Sequence, residues 1–485
     1  MTPHPGTTHR PRARRPEHGK AIGLAIAAAV GGFLFGFDSS VVNGAVDAIQ
    51  GEFALSSTLT GLAVAIALVG CAVGAWGGGR LADRHGRTRT MLLGAVLFFV
   101  SSIGSAFAFA VWELVVWRIV GGLGIGIASV IAPAYIAEIS PARMRGRLAS
   151  LQQLAITFGI FIALLSDAVL ANTSGGADHA SLFGLAAWRW MFLVAVVPAT
   201  VYGVLALRIP ESPRYLVAAG RHDEALVVLT DVLGGDESPA ERIAQIEQTI
   251  TDDRKLVAHA SLRGPRFGLI PIVWVGILLS VFQQLVGINV IFYYSVTLWK
   301  AVGFDESNSF VVTVATSITN VVVTFVAIAL VDRIGRRPIL LAGSAGMTVT
   351  LGLMALAFTH ASGTGSSVTL VAPWGTVALV SANLFVVFFG ASWGPVVWVL
   401  LGEMFPNRIR AAALGLAAAA QWIANFLITV SFPPILAAFG ATAPYLMYAV
   451  FAALSFVFVL TKIPETKGIE LEDMDGVTPA GRSTT

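Results

Sequence analysis

Twelve stretches of this 485-residue chain are each long and apolar enough to cross a lipid bilayer. A helical span needs about 20 apolar residues, since it rises about 1.5 Å per residue through roughly 30 Å of hydrocarbon. The stretches run roughly 21–49, 58–80, 88–110, 112–138, 148–172, 187–208, 267–299, 308–331, 337–359, 370–402, 409–437 and 441–463. The first is too long for a cleaved signal peptide, lacks a convincing small-residue cleavage site, and is followed by eleven more. Only 12% of residues are charged and 56% are hydrophobic, about half the charge of a soluble protein. So much apolar surface excludes a cytosolic enzyme, a nucleic-acid binder and a disordered scaffold. The expected fold is an all-α integral membrane protein. Fifty glycines point to closely packed spans. The net charge of +3 implies no anionic partner, and the single cysteine, Cys71, cannot form an intrachain disulfide.

The basic residues orient the chain. The first tail carries Arg10, Arg12, Arg14, Arg15 and Lys20; the loops on its side carry Arg84, Arg87 and Arg89, then Arg143, Arg145 and Arg147, then Arg333, Arg336 and Arg337, then Arg408 and Arg410. The opposite side offers Lys300 and Arg189. The asymmetry places both termini in the cytoplasm and the chain in the plasma membrane. It divides into a basic tail (1–20), six spans (21–208), a charged helical linker (209–266), six further spans (267–463) and a second tail (464–485). The linker reads helical from Asp223, and Ser238-Pro239-Ala240-Glu241 reads as a capping box with proline at the first helical position.

The two halves repeat. Asp83-Arg84-His85-Gly86-Arg87 follows span 2, and Asp332-Arg333-Ile334-Gly335-Arg336-Arg337 follows span 8. Glu138 precedes Arg145 across the loop after span 4, as Glu403 precedes Arg410 after span 10. Parallel repeats of this kind suit a transporter whose two bundles rock about a central site. With Gly-Arg-Leu-Ala-Asp-Arg-His-Gly-Arg (79–87), Pro-Glu-Ser-Pro-Arg (210–214), Gln-Gln-Leu-Val-Gly-Ile-Asn (283–289) and Pro-Glu-Thr-Lys-Gly (464–468), the chain resembles the sugar porter family of the major facilitator superfamily over about 20–467. It is similar to bacterial proton-coupled glucose and xylose permeases, with Gly-Gly-Phe-Leu-Phe-Gly-Phe-Asp-Ser-Ser (31–40) pointing to actinobacterial glucose permeases. The resemblance implies the major facilitator fold: two six-helix bundles related by pseudo-twofold symmetry.

Asp38 lies deep in span 1, where an unpaired carboxylate is costly. Its expected partner is Arg118 of span 4. Burial favours the neutral acid and a nearby arginine favours the carboxylate, so a change in their separation changes proton affinity. The resemblance implies the same pair for proton symport. The alternative is a static ion pair.

Amides both donate and accept, as sugar hydroxyls require, and buried amides in spans are few. The resemblance assigns sugar contact to Gln153, Gln283, Gln284, Asn289, Asn320, Trp398, Gln421 and Trp422. Tyr293 and Asn425 join as further candidates, and Trp393 reads as packing. Some symporters carry a second glutamine seven residues after Gln153; here Ile160 stands there, which leaves the choice among glucose, xylose and related sugars open. Gly287 is expected to break span 7 and Gly394-Pro395 to kink span 10. Gly70, Gly74 and Gly78 in span 2, with Gly122 and Gly126 in span 4, read as packing faces.

Asp83, Arg84, Arg87, Glu138, Arg145, Asp332, Arg333, Arg336, Glu403 and Arg410 are expected to latch the bundles together in the outward-open state through ion pairs that are weak singly. No phosphate-binding loop of an ATP-driven pump and no Cys/His metal spacing occurs. The function expected is hexose:proton symport, D-glucose first, by a monomer that uses no cofactor beyond the proton gradient and binds no nucleic acid. The competing readings are an uncoupled facilitator, a carrier of xylose or an inositol-like polyol, a transporter-like sugar sensor and a multidrug antiporter.

Overall fold

The structure is a computed structural model that describes residues 19–141, 144–233, 238–259, 262, 264, 268–301, 303–362, 369–405 and 409–465. Most of the two expected tails, with Arg10, Arg12, Arg14 and Arg15, lies outside the described residues. Twelve helical segments among the described residues are long and apolar enough to cross a membrane. The first half contains α1 (Gly19–Glu52), α2 (Ser57–His85), α3 (Arg87–Ala106), α4 (Val111–Ile139), α5 (Arg145–Ser174) and a sixth span broken into α6 (Ala187–Val194) and α7 (Val196–Arg208). The second half contains α11 (Pro271–Leu285) and α12 (Ile288–Ala301) as one broken span, α13 (Glu306–Ile334), α14 (Arg336–Thr359), a second broken span α15 (Trp374–Ala391) and α16 (Trp393–Met404), α17 (Arg410–Phe439) and α18 (Thr442–Lys462). A two-residue antiparallel ladder, Ala361–Ser362 with Thr369–Leu370, precedes α15.

Local chemistry sets the helix ends. Ser56 caps α2 by accepting from Leu59 N at 3.4 Å, and Asp305 caps α13 by accepting from Asn308 N at 2.7 Å, each satisfying a donor that the first helical turn leaves free. The linker folds as α8 (Pro213–Ala218), α9 (His222–Leu233) and α10 (Pro239–His259). Pro239 opens α10 as its spacing predicts, and Glu241 N donates to Ser238 Oγ at 3.5 Å. Leu216, Val217, Ala225, Val228 and Val232 from α8 and α9 bury against Ala21 of α1, and Lys20 pairs with Asp231 at 2.8 Å. The linker is therefore docked on the start of the first span.

Within the first half, small residues let backbones touch. A Cβ on Gly70 or Gly74 would strike the carbonyls of Ile119 or Leu123, and one on Gly122 or Gly126 those of Ala67 or Cys71. These glycines are packing faces, as their spacing predicts, and the two faces meet in an α2–α4 seam. The α1–α5 seam is as close: a Cβ on Gly36 would run into the Ile156 carbonyl, and one on Gly159 into that of Phe33. Among the described residues the halves meet chiefly where α1 packs on α12, α2 on α17 and α5 on α13.

Gly36→Val is expected to lower the melting temperature of the detergent-purified protein, in line with a cost of about 1–3 kcal/mol for overpacking a tight contact. Gly23→Val, where a Cβ meets nothing within 4 Å, is expected to leave it unchanged.

Candidate functional site

The halves are clamped on the side away from the arginine-rich loops. Asn43 of α1 reaches across to α12 with three hydrogen bonds: its Nδ2 donates to Phe292 O at 3.0 Å and to Ser295 Oγ at 2.8 Å, and its Oδ1 accepts from Val296 N at 3.1 Å. One turn further along α1, Asp47 accepts from Thr297 Oγ1 at 2.8 Å and pairs with Lys300 at 2.9 Å. On the same side α2 lies against α17, where a Cβ on Gly61 would stand 2.5 Å from Val430 O. Asn43 satisfies α12 backbone groups near Tyr294, whose φ of −133° interrupts the helix.

Deeper in, Arg118 Nη1 donates to Asp38 Oδ1 at 2.7 Å, with both side chains buried. The Phe192 ring lies 5.8 Å from the Arg118 guanidinium carbon. Arg118 Nε has no hydrogen-bond partner among the described residues, so the pair uses only part of the guanidinium's capacity. A small cavity beside the pair is lined by Phe35, Asp38, Cys71, Arg118 and, from the second half, Tyr293. The carboxylate therefore sits next to a side chain of the opposite bundle.

Three of the candidate amides gather where two broken spans meet. Gly287 takes φ +81° between α11 and α12, a conformation open to glycine at little cost. The tenth span breaks at Ser392 (φ −132°, ψ −85°), three residues before Pro395, which then sits in the first turn of α16. Gln283 joins the breaks: its Nε2 donates to Trp393 O at 2.9 Å and Gly394 O at 3.3 Å. Gln284 Nε2 donates to Gln283 Oε1 at 3.4 Å, and Asn289 Nδ2 to Gln284 Oε1 at 2.5 Å. Three of the amides named from sequence thus form one chain ending on α16. Trp393 is fully buried and donates Nε1 to Ser344 Oγ at 2.9 Å, a packing residue.

The remaining candidates are spread over α5, α12, α13, α16 and α17. Trp422 of α17 meets Phe35 of α1 edge to face at 5.5 Å, an aromatic contact between the halves. Gln421 Oε1 and Tyr293 Oη are buried without a partner among the described residues. Asn425 accepts from Thr429 Oγ1 at 3.1 Å. Asn320 lies on α13 beside Gly390 of α15. Gln153 is half-buried on α5, whereas its neighbour Gln152 packs on Gly32 in the α1–α5 seam. Ile160 lies in that same seam, beside Gly36. Trp398 is 44% exposed.

The arginine-rich side shows the repeat in atomic form. Arg87 grips Glu138 through Nε at 3.0 Å and Nη2 at 2.9 Å, and Arg336 grips Glu403 through Nε at 3.2 Å and Nη2 at 2.8 Å. Both are two-pronged contacts within one half, and Asp83 adds to the first at 3.1 Å. Glu211 accepts from Arg87 N at 2.8 Å and Thr88 N at 3.2 Å; Glu465 accepts from Arg336 N at 2.9 Å and Arg337 N at 3.0 Å. Each carboxylate satisfies free donors at a helix start. Gly86 (φ +96°) and Gly335 (φ +103°) make the turns, and a Cβ on either would collide with Glu211 or Glu465. The side chains of Arg145, Asp332 and Arg410 lie outside the described residues, so the spacing-based pairs Glu138–Arg145 and Glu403–Arg410 do too. Arg84 and Arg333 stand beside these clusters in sequence.

Sequence reasoning missed Asn43, Asp47, Glu211 and Glu465. Asn43 carries the same signal as the other amides, a polar side chain inside a span. Lys300 was visible only as a stray cation on the sparsely charged side. Asn43→Ala leaves Phe292 O and Val296 N without their side-chain partner, at about 1–3 kcal/mol for a buried group left unmet. A membrane-impermeant thiol reagent is expected to label Thr297→Cys roughly five- to a hundredfold faster in that background, since each 1.4 kcal/mol shifts the opening equilibrium tenfold.

A sequence-family model described as "Sugar (and other) transporter" matches residues 24–477. The chain is 56% identical over 448 residues to the glucose transport protein of Synechocystis, covering 92% of this chain and 95% of the relative. It is 34% identical over 494 residues to the D-xylose-proton symporter of Escherichia coli K12, covering 94% and 95%. The partially occluded, inward-open structure of the E. coli xylose transporter XylE superposes with a TM-score of 0.80 at 33% identity, covering 93% of this chain and 100% of that one. The glucose carrier named here is cyanobacterial, whereas the first span suggested an actinobacterial kinship. A family match across nearly the whole length, and twelve spans in the arrangement of a solved sugar carrier, make this chain a member of the sugar transporter family of the major facilitator superfamily.

Proposed function

We propose that this protein is a monomeric plasma-membrane symporter that couples uptake of a hexose, D-glucose first, to the inward movement of a proton. The observation that carries the proposal is the buried Asp38–Arg118 pair at 2.7 Å beside a cavity that Tyr293 of the other half lines. Protonation of Asp38 neutralises it and releases Arg118, which permits sugar loading and reorientation; the proton gradient is then the only energy source. Sugar binds between the halves, on Gln153, Gln283, Gln284, Asn289, Asn320, Gln421, Trp398 and Trp422, with Tyr293 and Asn425 beside them. The unpartnered Gln421 Oε1 and Tyr293 Oη supply an acceptor and a donor for hydroxyls.

The positive-inside rule places the arginine-rich side and both termini in the cytoplasm. The Asn43 and Asp47 clamp is then the closed outer gate, and the described state faces inward. The broken span lets α12 carry that gate while α11, through Gln283, stays against α16. Glu138, Glu403 and the arginines around them form the inner latch of the outward-open state.

Asp38→Asn is expected to abolish accumulation of sugar against its gradient while sugar exchange continues, measured with radiolabelled glucose in proteoliposomes. Accumulation by that variant sinks the coupling. An uncoupled facilitator is the second reading, favoured by the close likeness to a relative named only as a glucose transport protein; alkalinisation of the medium on adding sugar separates the two. Competition by xylose, galactose and inositol, with and without a protonophore, assigns the substrate that Ile160 leaves open.

A further inference from the structure

A further buried carboxyl takes no part in the sites above. Asp167 lies in the last third of α5 and is fully buried. Its Oδ2 accepts a 3.3 Å hydrogen bond from Gly44 N of α1, a donor that already has an acceptor four residues back in its own helix. Its Oδ1 has no hydrogen-bond partner among the described residues. The carboxyl fills the space that a side chain on position 44 would need: a Cβ there would stand 2.7 Å from Asp167 Cβ and 2.9 Å from Cγ. Ser40, one turn earlier on the same face of α1, is also fully buried with its Oγ unpartnered.

The charges on neighbouring elements are engaged elsewhere. Asp38 of α1 holds Arg118 of α4, Glu52 of α1 holds Arg189 of α6, and Asp47 of α1 holds Lys300 of α12. Glu306 of α13 accepts from Ala177 N at 3.1 Å. A carboxylate that meets, among the described residues, one long N–H bond and no cation is strongly disfavoured in an apolar interior, whereas the neutral acid is not.

We propose that Asp167 is a second proton-binding site, occupied in this state and emptied to the outer solution when the clamped side opens. Gly44 adjoins Asn43, so parting α12 from α1 brings water to the chain segment against which the carboxyl packs. Asp167 is seven residues from the outer end of α5, about 10 Å along the helix axis. In the other direction the backbones of α1 and α5 are sealed together at Gly36 and Gly159. The proton therefore returns to the side it came from. It adds no transported charge; it makes acid outside favour the closed outer gate. That the gated side faces outward rests on the orientation proposed above; the proton site does not.

The test uses spin labels at Leu59 and Phe439, exposed at the gated ends of α2 and α17, to read opening by distance without requiring transport. In an Asp38→Asn background, acidification is expected to raise the short-distance population. Adding Asp167→Asn, which mimics the neutral acid, is expected to hold that population at its acid value at every pH. A pH-independent population in Asp38→Asn alone, or an unchanged response in the double variant, overturns the proposal. Failure of the symport reading shows instead as uphill uptake by Asp38→Asn and leaves this test standing. Infrared spectra of the purified protein supply a check that needs no motion: a protonated-carboxyl band lost in Asp167→Asn supports the site, and an unaltered spectrum overturns it.

Discussion

Hydrocarbon offers no hydrogen bonds, and the rest of this structure follows from that. A backbone can leave the helix inside the membrane only where side chains or other backbone take up the freed groups. The two interrupted spans of the second half meet the condition together: Gln283 binds the carbonyls of Trp393 and Gly394 at the second break while its own chain passes Gly287 at the first. Asn43 does the same for α12 around Tyr294. The amides that take up the freed groups at the breaks are thus the amides that join α11 to α16 and α1 to α12.

Charge obeys the same economy. Inside the membrane Asp38 has Arg118, and at the arginine-rich side each half folds a carboxylate back onto the start of its third span. Pro-Glu-Ser-Pro-Arg and Pro-Glu-Thr-Lys-Gly stand far apart in sequence, yet Glu211 and Glu465 perform one task, accepting from two backbone N–H groups beside a glycine that leaves room for them. The two-pronged Arg87–Glu138 and Arg336–Glu403 contacts then tie span 3 to span 4 and span 9 to span 10. The halves are thereby stiff bodies at that side, as rocking about a central site requires.

Much of the fold was legible before any coordinate. Span number follows from hydropathy, because an apolar run of about 20 residues has few other uses. The small-residue faces of α2 and α4 followed from glycines four apart, and the break at Gly287 from a glycine between two polar positions in an apolar run. Boundaries were less legible: the run 370–402 begins as a helix only at Trp374, and 187–208 is two helices rather than one, since hydropathy does not register a local change of φ and ψ. The Gly394-Pro395 signal marked a real interruption, displaced to Ser392 because proline is tolerated in a first turn and the disruption falls before it.

Sequence by itself determined what kind of molecule this is: the number of spans, their division into repeated halves, the scarcity of buried charge and the short roll of amides and carboxylates able to do chemistry. Those properties are local, or repeat at fixed spacing, so one chain displays them. Only the tertiary structure decided which of these groups meet: that Glu138 faces Arg87, that Gln152 packs in a seam, that Asn43 reaches α12, and that Asp167 lies buried against Gly44. Pairing across hundreds of residues depends on which helix faces touch, and in an apolar solvent neighbouring faces are chosen by close packing and hydrogen bonds, which no pattern along the chain spells out.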